Sequence, residues 1–361
     1  MSLTSSMSRR PLILVLASAL AITGSCSPVG GDRYTRKQAQ KSLLKLEAPG
    51  LVIGEFTLTK IVDGDTVRVD GLDSSLRLLG MDTEETFKNE ADRRAVETDW
   101  KGYVEEKRNK VRPGRIATPT GEVAKEWAKK FFDGTVRVRL ERDHPAEIRD
   151  RFNRYLSYLF VQKNGTWVNY NVESVRAGMS PYYTKYGFSR RFHDEFVKAQ
   201  AEAKAAKRGI WQDGIMKYPD YPEREAWWTP RAEFVAKFRV EGAGKDNYLD
   251  VTHWDALKQL ENLVGKEVHV LGTVDDVRLN ERGPARVALN RFPIVFFDRD
   301  VLGSSGIMQW KGEYVEVIGI PTIYENKTTK KKQVQIVIDS ASQIRLSTVP
   351  GLAVPTVSPS P

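Results

Sequence analysis

Apolar and polar positions alternate with a period of two from Leu51 to Arg68 and again from Leu76 to Met81. That period predicts strands with one buried face. The segments "DGDT" and "DGLDSS" interrupt it with turn chemistry. From Phe87 to Ile116 the chain is rich in Arg, Lys and Glu and holds no single period. It reads as an inserted, partly helical excursion. "TGEVAKEWAKKFFDG" then predicts a helix, with Thr120 as its cap, Val123, Trp127 and Phe131 on one face, and Gly134 as its stop. "TVRVRLE" alternates as a strand, and "RYLSYLFVQKNGTWVNY" reads as two strands around an Asn164-Gly165 turn. A short helix through Glu173 and Val175 ends at Gly178, and a longer one runs from about Arg190 to Lys207.

The prolines and turn residues of "QDGIMKYPDYPEREAWWTP" read as a linker spanning 214–236. Trp227 and Trp228 within it are read as packing against a domain, in preference to stacking on a base. A second pattern follows over 237–346. A helix "DALKQLENLV" precedes five alternating stretches, with the longest connector after the third. This arrangement resembles an OB-fold, a small Greek-key barrel that commonly binds oligonucleotides. The turn between its last two strands carries Lys327, Lys330, Lys331 and Lys332. Two readings stand level: a nucleic-acid loop, or a solvated hairpin tip whose charges guard the sheet edge. Residues 347–361 form a Pro- and Ser-rich tail.

Composition adds a direction. The 361 residues are 40% hydrophobic and 29% charged, long enough for two cored domains, and the net charge is +9. A basic balance favours an anionic partner such as nucleic acid or a membrane surface. The first 26 residues stand apart: Arg9 and Arg10 precede the apolar "PLILVLASALAI", which is short for a membrane span, and then "TGSC". This is the pattern of an export signal. The chain's sole cysteine, Cys26, falls where a bacterial lipoprotein signal places its lipid-bearing cysteine, although Thr23 stands where Leu is usual. A lipid anchor at Cys26 is therefore favoured over a plain secretory signal, with residues 27–50 as a polar tether. The oligomeric state is not legible.

The stretch from Val62 to Thr86 holds seven acidic residues. Asp63 and Asp65 flank Gly64, while Asp82 and Glu85 lie just past the next strand, with Arg77 between. If these strands pair, the two acidic ends converge. Oxygen-only ligands would select a hard cation, Ca²⁺ or Mg²⁺. Four histidines and one cysteine without ligand spacing argue against zinc. A metal, an arginine and a spare carboxylate together suit phosphodiester hydrolysis. An ordinary Asp- and Gly-rich surface turn fits the same residues, and on this stretch alone is the stronger reading.

Four motifs in order change that balance: "DGDT", "RLLGMDTEET", "DRFNRYLSYLF" and the helix ending in "AKAAKRGIW". Together they resemble the staphylococcal nuclease-like (thermonuclease) family over about Gly54 to Gln212. The resemblance implies an OB-type five-stranded β-barrel with packed helices over 51–213, interrupted by the excursion at 87–116. The whole chain is then α+β and mainly β, a nuclease barrel followed by a second OB-like barrel. The resemblance further implies Ca²⁺-dependent cleavage of DNA and RNA. Asp65 and Asp82 match the calcium-binding carboxylates, Thr83 would offer its backbone carbonyl, and Asp63 supports them. Glu85 matches the glutamate that positions or activates water. Arg77 and Arg154 match the two phosphate-binding arginines. A base-stacking tyrosine is expected in "SPYYTKYG", with Tyr183 and Tyr186 as candidates beside Tyr182. Two departures stand out: Glu84 replaces a usual proline, and Asn153 a common glycine.

The expected function is an exported Ca²⁺-dependent nuclease acting on DNA and/or RNA, its second barrel aiding nucleic-acid binding. No organic cofactor is expected. The competing reading is a non-catalytic nucleic-acid-binding or scaffold protein with a degenerate nuclease-like domain. The intact set Asp65, Arg77, Asp82, Glu85 and Arg154 discriminates against it.

Overall fold

The structure is a computed structural model and describes residues 50–108, 113–150, 152–281 and 283–353. The export signal, Cys26, the tether and most of the C-terminal tail lie outside the described residues. No helix among the described residues is long and apolar enough to cross a membrane.

Strands β1 (Val52–Ile61), β2 (Thr66–Val69), β3 (Leu76–Leu78), β4 (Arg137–Glu141) and β5 (Tyr155–Lys163) close into a ring. β1 pairs antiparallel with both β2 and β4, β2 with β3, and β4 with β5. The parallel pairing of β3 with β5 completes the five-stranded barrel. Its alternating positions do what the period predicts: Val67, Val69, Leu76, Leu78, Val138, Leu140, Leu159 and Val161 all point into one core. Each such burial contributes about 1.5–3 kcal/mol. β6 (Thr166–Asn169) extends the sheet through a hairpin at Asn164 and Gly165, both at positive φ. This is the backbone a type I′ turn requires.

The excursion is helical, with α1 (Glu90–Thr98) and α2 (Trp100–Lys107). Val96, Tyr103, Val104 and Ile116 form a small separate core with Ile210, Tyr218 and Tyr221. α3 (Pro119–Phe131) differs from its sequence reading. Thr118, one residue before Pro119, caps it by accepting from the Gly121 amide at 3.0 Å. Val123 is exposed, and the buried stripe is Ala124 and Ala128, flanked by Trp127 and Phe131. α4 (Tyr170–Arg176) ends before Gly178 at φ +73°, and α5 (His193–Ala205) buries Phe196, Ala199 and Ala203.

The stretch read as a linker is mostly helix: α6 runs from Tyr221 to Glu241. Its prolines misled for a physical reason. Pro222 occupies the first helical turn, where no amide donor is needed, and Pro230 is tolerated inside a helix held on two sides. Trp227 and Trp228 are buried, as expected of packing residues. Trp227 Nε1 donates to Glu313 at 3.1 Å, and Arg231, fully buried, ion-pairs with the same carboxylate. α6 is thereby a strut between the two barrels.

β7 (Tyr248–Asp250) and α7 (Ala256–Asn262) lead into the second barrel. β8 (Val268–Arg278) pairs with β9 (Ala285–Leu289) and β11 (Tyr314–Gly319); β9 pairs with β10 (Phe292–Phe296). β10 runs parallel to β13 (Lys332–Val337), which pairs with β12 (Pro321–Glu325). β11 and β12 are one strand broken at Ile320, so the ring repeats the connectivity of the first barrel, parallel closure included. α8 (Arg299–Ser304) lies in the long connector after β10, and β14 (Ile344–Leu346) adds to β11.

The barrels also meet at His144, Glu147 and His253, whose potential ligand atoms lie within 4.8 Å of one another. The two imidazoles stack 4.7 Å apart. Arg239 and Arg190 both reach Glu147 Oε1, at 3.1 and 3.4 Å, so its charge is already matched by guanidiniums. The cluster is a joint between barrels. Burial, with the nearby Arg190, pushes His144 down to about 4, while Glu147 is held down at about 2 against its own burial by His253 and the two arginines. A histidine depressed in the folded state binds fewer protons there than when unfolded, so stability falls as pH drops from about 6.5 towards 4. The Glu147 contribution is lost lower still, from about 4.5 towards 2. This imidazole should therefore add up to about one proton to the uptake on unfolding between pH 7 and 4, against the opposite contribution of Asp63, whose carboxyl is raised to about 7. As pH falls across that window, the urea midpoint of the parent should drop relative to that of a His144→Gln chain, and an unchanged difference would refute the role of this imidazole.

Candidate active site

The Asp63-Gly64-Asp65 turn joins β1 to β2 and presses against Thr83. A Cβ on Gly64 would stand 2.6 Å from the Thr83 methyl, so only glycine lets the two acidic ends of this stretch meet. Tyr170 fixes the turn by donating to the Gly64 carbonyl at 2.7 Å. Arg77 lies on β3 between Thr66 and Leu156 and is buried. Its Nη1 ion-pairs with Asp65 and its Nη2 with Asp82. Two carboxylates distant in sequence thus sit on one guanidinium, as the convergence argument required. The Ser180 hydroxyl holds the Asp82 amide at 2.8 Å.

Burial raises carboxyl pKa values here, and the arginines oppose it. In Asp65 the pull of Arg77 and Arg115 outweighs burial and holds it below the ordinary range. In Asp82 burial prevails and pushes it upward. Asp63 accepts from the Asp65 amide at 3.2 Å; burial and the neighbouring Asp65 charge raise it to about 7. Asp65 and Asp82 meet on one guanidinium, and with the Thr83 carbonyl they offer the oxygen-only donor chemistry that a hard cation takes.

Glu85 follows Asp82 by one short turn, and its carboxylate is partly exposed. Its backbone is fixed by the return of the excursion. The Thr118 amide donates to the Glu85 carbonyl at 3.0 Å, and Ala117 bridges to Glu85. α3 comes so close that a Cβ on Gly121 would stand 2.1 Å from that carbonyl.

Glu84, the departure from the family pattern, is 1% exposed and has a clear task. Its Oε2 accepts from the Thr118 and Thr120 hydroxyls. Its Oε1 accepts from the Tyr218 amide and the Tyr221 hydroxyl, each at 2.7 Å. Burial raises its carboxyl, against these four donors. A rigid proline is replaced by a buried carboxylate that ties the excursion and the start of α6 to the site.

Arg154 is placed by a turn in which Asn153 adopts φ +67°, so the asparagine does perform the glycine's role. Arg154 directly precedes β5, two residues before Leu156, the partner of Arg77. Its guanidinium ion-pairs with Asp150 at 2.7 Å. Asp73, in the "DGLDSS" turn, pairs with Arg149 at 2.9 Å and ties the β2–β3 turn to this loop.

The tyrosines divide. Tyr182 is buried, stacked on Phe196 at 4.8 Å. Tyr183 is also buried, packed edge-on against Trp228 with Arg77 5.8 Å from its ring. It packs beside the arginine, and of the three tyrosines Tyr186 is the exposed one, at 53%. Lys327, Lys330, Lys331 and Lys332 are exposed at the β12–β13 hairpin.

Sequence reading missed Arg115. It comes from the excursion, its Nη2 ion-pairing with Asp82 and its Nη1 lying 3.2 Å from Glu85 Oε1. One arginine in a stretch rich in them carried no signal; only the fold of the excursion singles it out.

Residues 75–213 match the family described as Staphylococcal nuclease homologue. An uncharacterized protein of Methanocaldococcus jannaschii is 30% identical over 162 residues, 43% of this chain and 70% of that protein. A thermonuclease of Staphylococcus hyicus is 26% identical over 163 residues, covering 44% of this chain and 76% of its own. A thermonuclease of Staphylococcus intermedius is 29% identical over 164 residues, covering 45% and 79%.

Proposed function

We propose, from the premise that this chain belongs to the staphylococcal nuclease homologue family, that it is an exported, lipid-anchored nuclease requiring Ca²⁺ to hydrolyse phosphodiester bonds of DNA or RNA. The observation that carries this reading is the meeting of Asp65, Asp82 and Arg77 in one buried cluster, with Glu85 beside it. A calcium ion held by Asp65, Asp82 and the Thr83 carbonyl would offset charge building on the phosphoryl oxygens. Arg77 and Arg154 would bind those oxygens, and by the family resemblance Arg154 is assigned to the departing one. Glu85 positions a water and accepts its proton as the water oxygen bonds to phosphorus. Tyr186 gives a base a face to stack on. Export and anchoring rest on the apolar run from Pro11 to Ile22 and on Cys26 four residues after it.

The testing experiment incubates the chain lacking its first 26 residues with single- and double-stranded DNA and RNA, with Ca²⁺ or with chelator. Cation-dependent cutting of at least one substrate is expected. Tight binding without cutting would favour the non-catalytic scaffold.

The second barrel is assigned to holding flexible nucleic acid, because its lysines occupy the loop OB-folds use for that purpose. Replacing Lys327, Lys330, Lys331 and Lys332 by Ala should weaken single-strand affinity. It should also flatten the salt dependence by about 0.7 for each phosphate that a lysine no longer meets, with kcat unchanged. An unaltered salt slope would return these lysines to guarding the sheet edge.

A further inference from the structure

The return limb of the excursion is fastened on both sides of Arg115. Arg224 donates to the Gly114 carbonyl, and the Tyr218 hydroxyl bonds both the amide and the carbonyl of Ile116, at 3.2 and 3.0 Å. The next residue, Ala117, is bridged to Glu85 and accepts from the Tyr103 hydroxyl at 3.1 Å. The backbone is therefore committed, and it aims one guanidinium at the gap between Asp82 and Glu85. That gap separates the carboxylate assigned to the cation from the one assigned to the attacking water. On the nuclease reading, a phosphodiester group under attack lies beside that gap.

The charge count asks for a further partner. The three carboxylates that Arg77 and Arg115 touch, Asp65, Asp82 and Glu85, carry three negative charges, and Arg77 supplies one positive charge. Lys88 comes within 3.5 Å of Glu85, but it is largely exposed and screened by solvent. A dication would neutralise the remaining two charges, leaving the substrate as the anion for Arg115. Arg115 is also 39% exposed on its side chain, so it can turn towards solvent without opening the core.

We propose that Arg115 is a third phosphate-binding arginine of this site, held on Asp82 and Glu85 until a cation takes Asp82 and then passed to the phosphodiester. This rests on the nuclease reading above and adds a residue supplied by the excursion. Two consequences of opposite sign follow. Arg115 competes with the cation for Asp82, so removing it tightens cation binding. Arg115 contacts the phosphate, so removing it weakens substrate binding and turnover. A residue that merely braced the loop would weaken both.

The test uses Arg115→Gln and Arg115→Lys in the chain lacking its first 26 residues, with folding checked by circular dichroism. Calcium affinity is measured by calorimetry without nucleic acid. Affinity for a short single-stranded DNA oligonucleotide is measured at saturating Ca²⁺ in a Glu85→Gln background, which prevents cleavage. The expectation for Arg115→Gln is cation binding tightened, and oligonucleotide binding weakened, each on the order of tenfold, with Arg115→Lys between. Cation affinity unchanged or weakened, or oligonucleotide affinity unchanged, overturns the proposal. If the parent cuts in a cation-dependent way and the two shifts are absent, only the Arg115 inference fails. If the parent neither binds Ca²⁺ nor cuts, the nuclease reading fails with it.

Discussion

Replacing Glu85 by Gln should lower the rate of phosphodiester cleavage by about two decades or more, while fold and nucleic-acid affinity persist. The amide keeps the size of the carboxylate and can still orient a water, but it cannot accept the proton. Little else depends on the charge. The Glu85 side chain is about a quarter exposed, and its ionic partners Arg115 and Lys88 are themselves partly or largely exposed. Its backbone is held by Thr118 and Ala117 regardless of side chain. Thermal midpoints of the two chains should therefore agree, which separates a chemical loss from an unfolding one. A Glu85→Gln chain cutting within a factor of a few of the parent would remove Glu85 from the chemistry.

Replacing Glu84 by Ala should cost about 3 kcal/mol or more of stability and most of the activity. Four donors converge on this buried carboxylate: two hydroxyls of the α3 cap region, the Tyr218 amide and the Tyr221 hydroxyl. Removing it leaves them facing a cavity, and each unsatisfied buried group costs about 1–3 kcal/mol. The activity loss follows from position. The same residues set the path of the limb that carries Arg115 and braces the Glu85 carbonyl, so both side chains lose their aim. Urea midpoints at constant m-value measure the first effect, and cleavage at temperatures well below the midpoint measures the second. A change below about 0.5 kcal/mol would show that Glu84 is not the clamp described here. Glu84→Pro, although it restores the family pattern, should be no better, because proline accepts none of the four bonds.

Local pattern announced much of this architecture. The period-two runs found the barrel strands, Asn164-Gly165 marked a hairpin and Gly178 a helix end, because strand alternation and positive-φ positions are written residue by residue. The site was legible in part: motif order brought Asp65, Arg77, Asp82 and Glu85 together, and the structure places them so. Features that depend on contacts across long separations were not legible. The α6 strut looked like a linker because its prolines were read locally, whereas Trp227 and Arg231 bond to Glu313 far along the chain. Glu84 looked like a fault because its four partners lie at 118, 120, 218 and 221. The excursion showed no period because its helices bury small faces against residues near 210–221, outside the barrel core.

The most direct measurement is the initial rate of cleavage of a DNA and an RNA oligonucleotide by the chain lacking its first 26 residues, as free Ca²⁺ is raised from chelator to saturation. The account predicts no cleavage in chelator and a rate that rises and saturates with the cation for at least one of the two. Cleavage undiminished by chelator, or none of either substrate at any Ca²⁺ concentration, would contradict it.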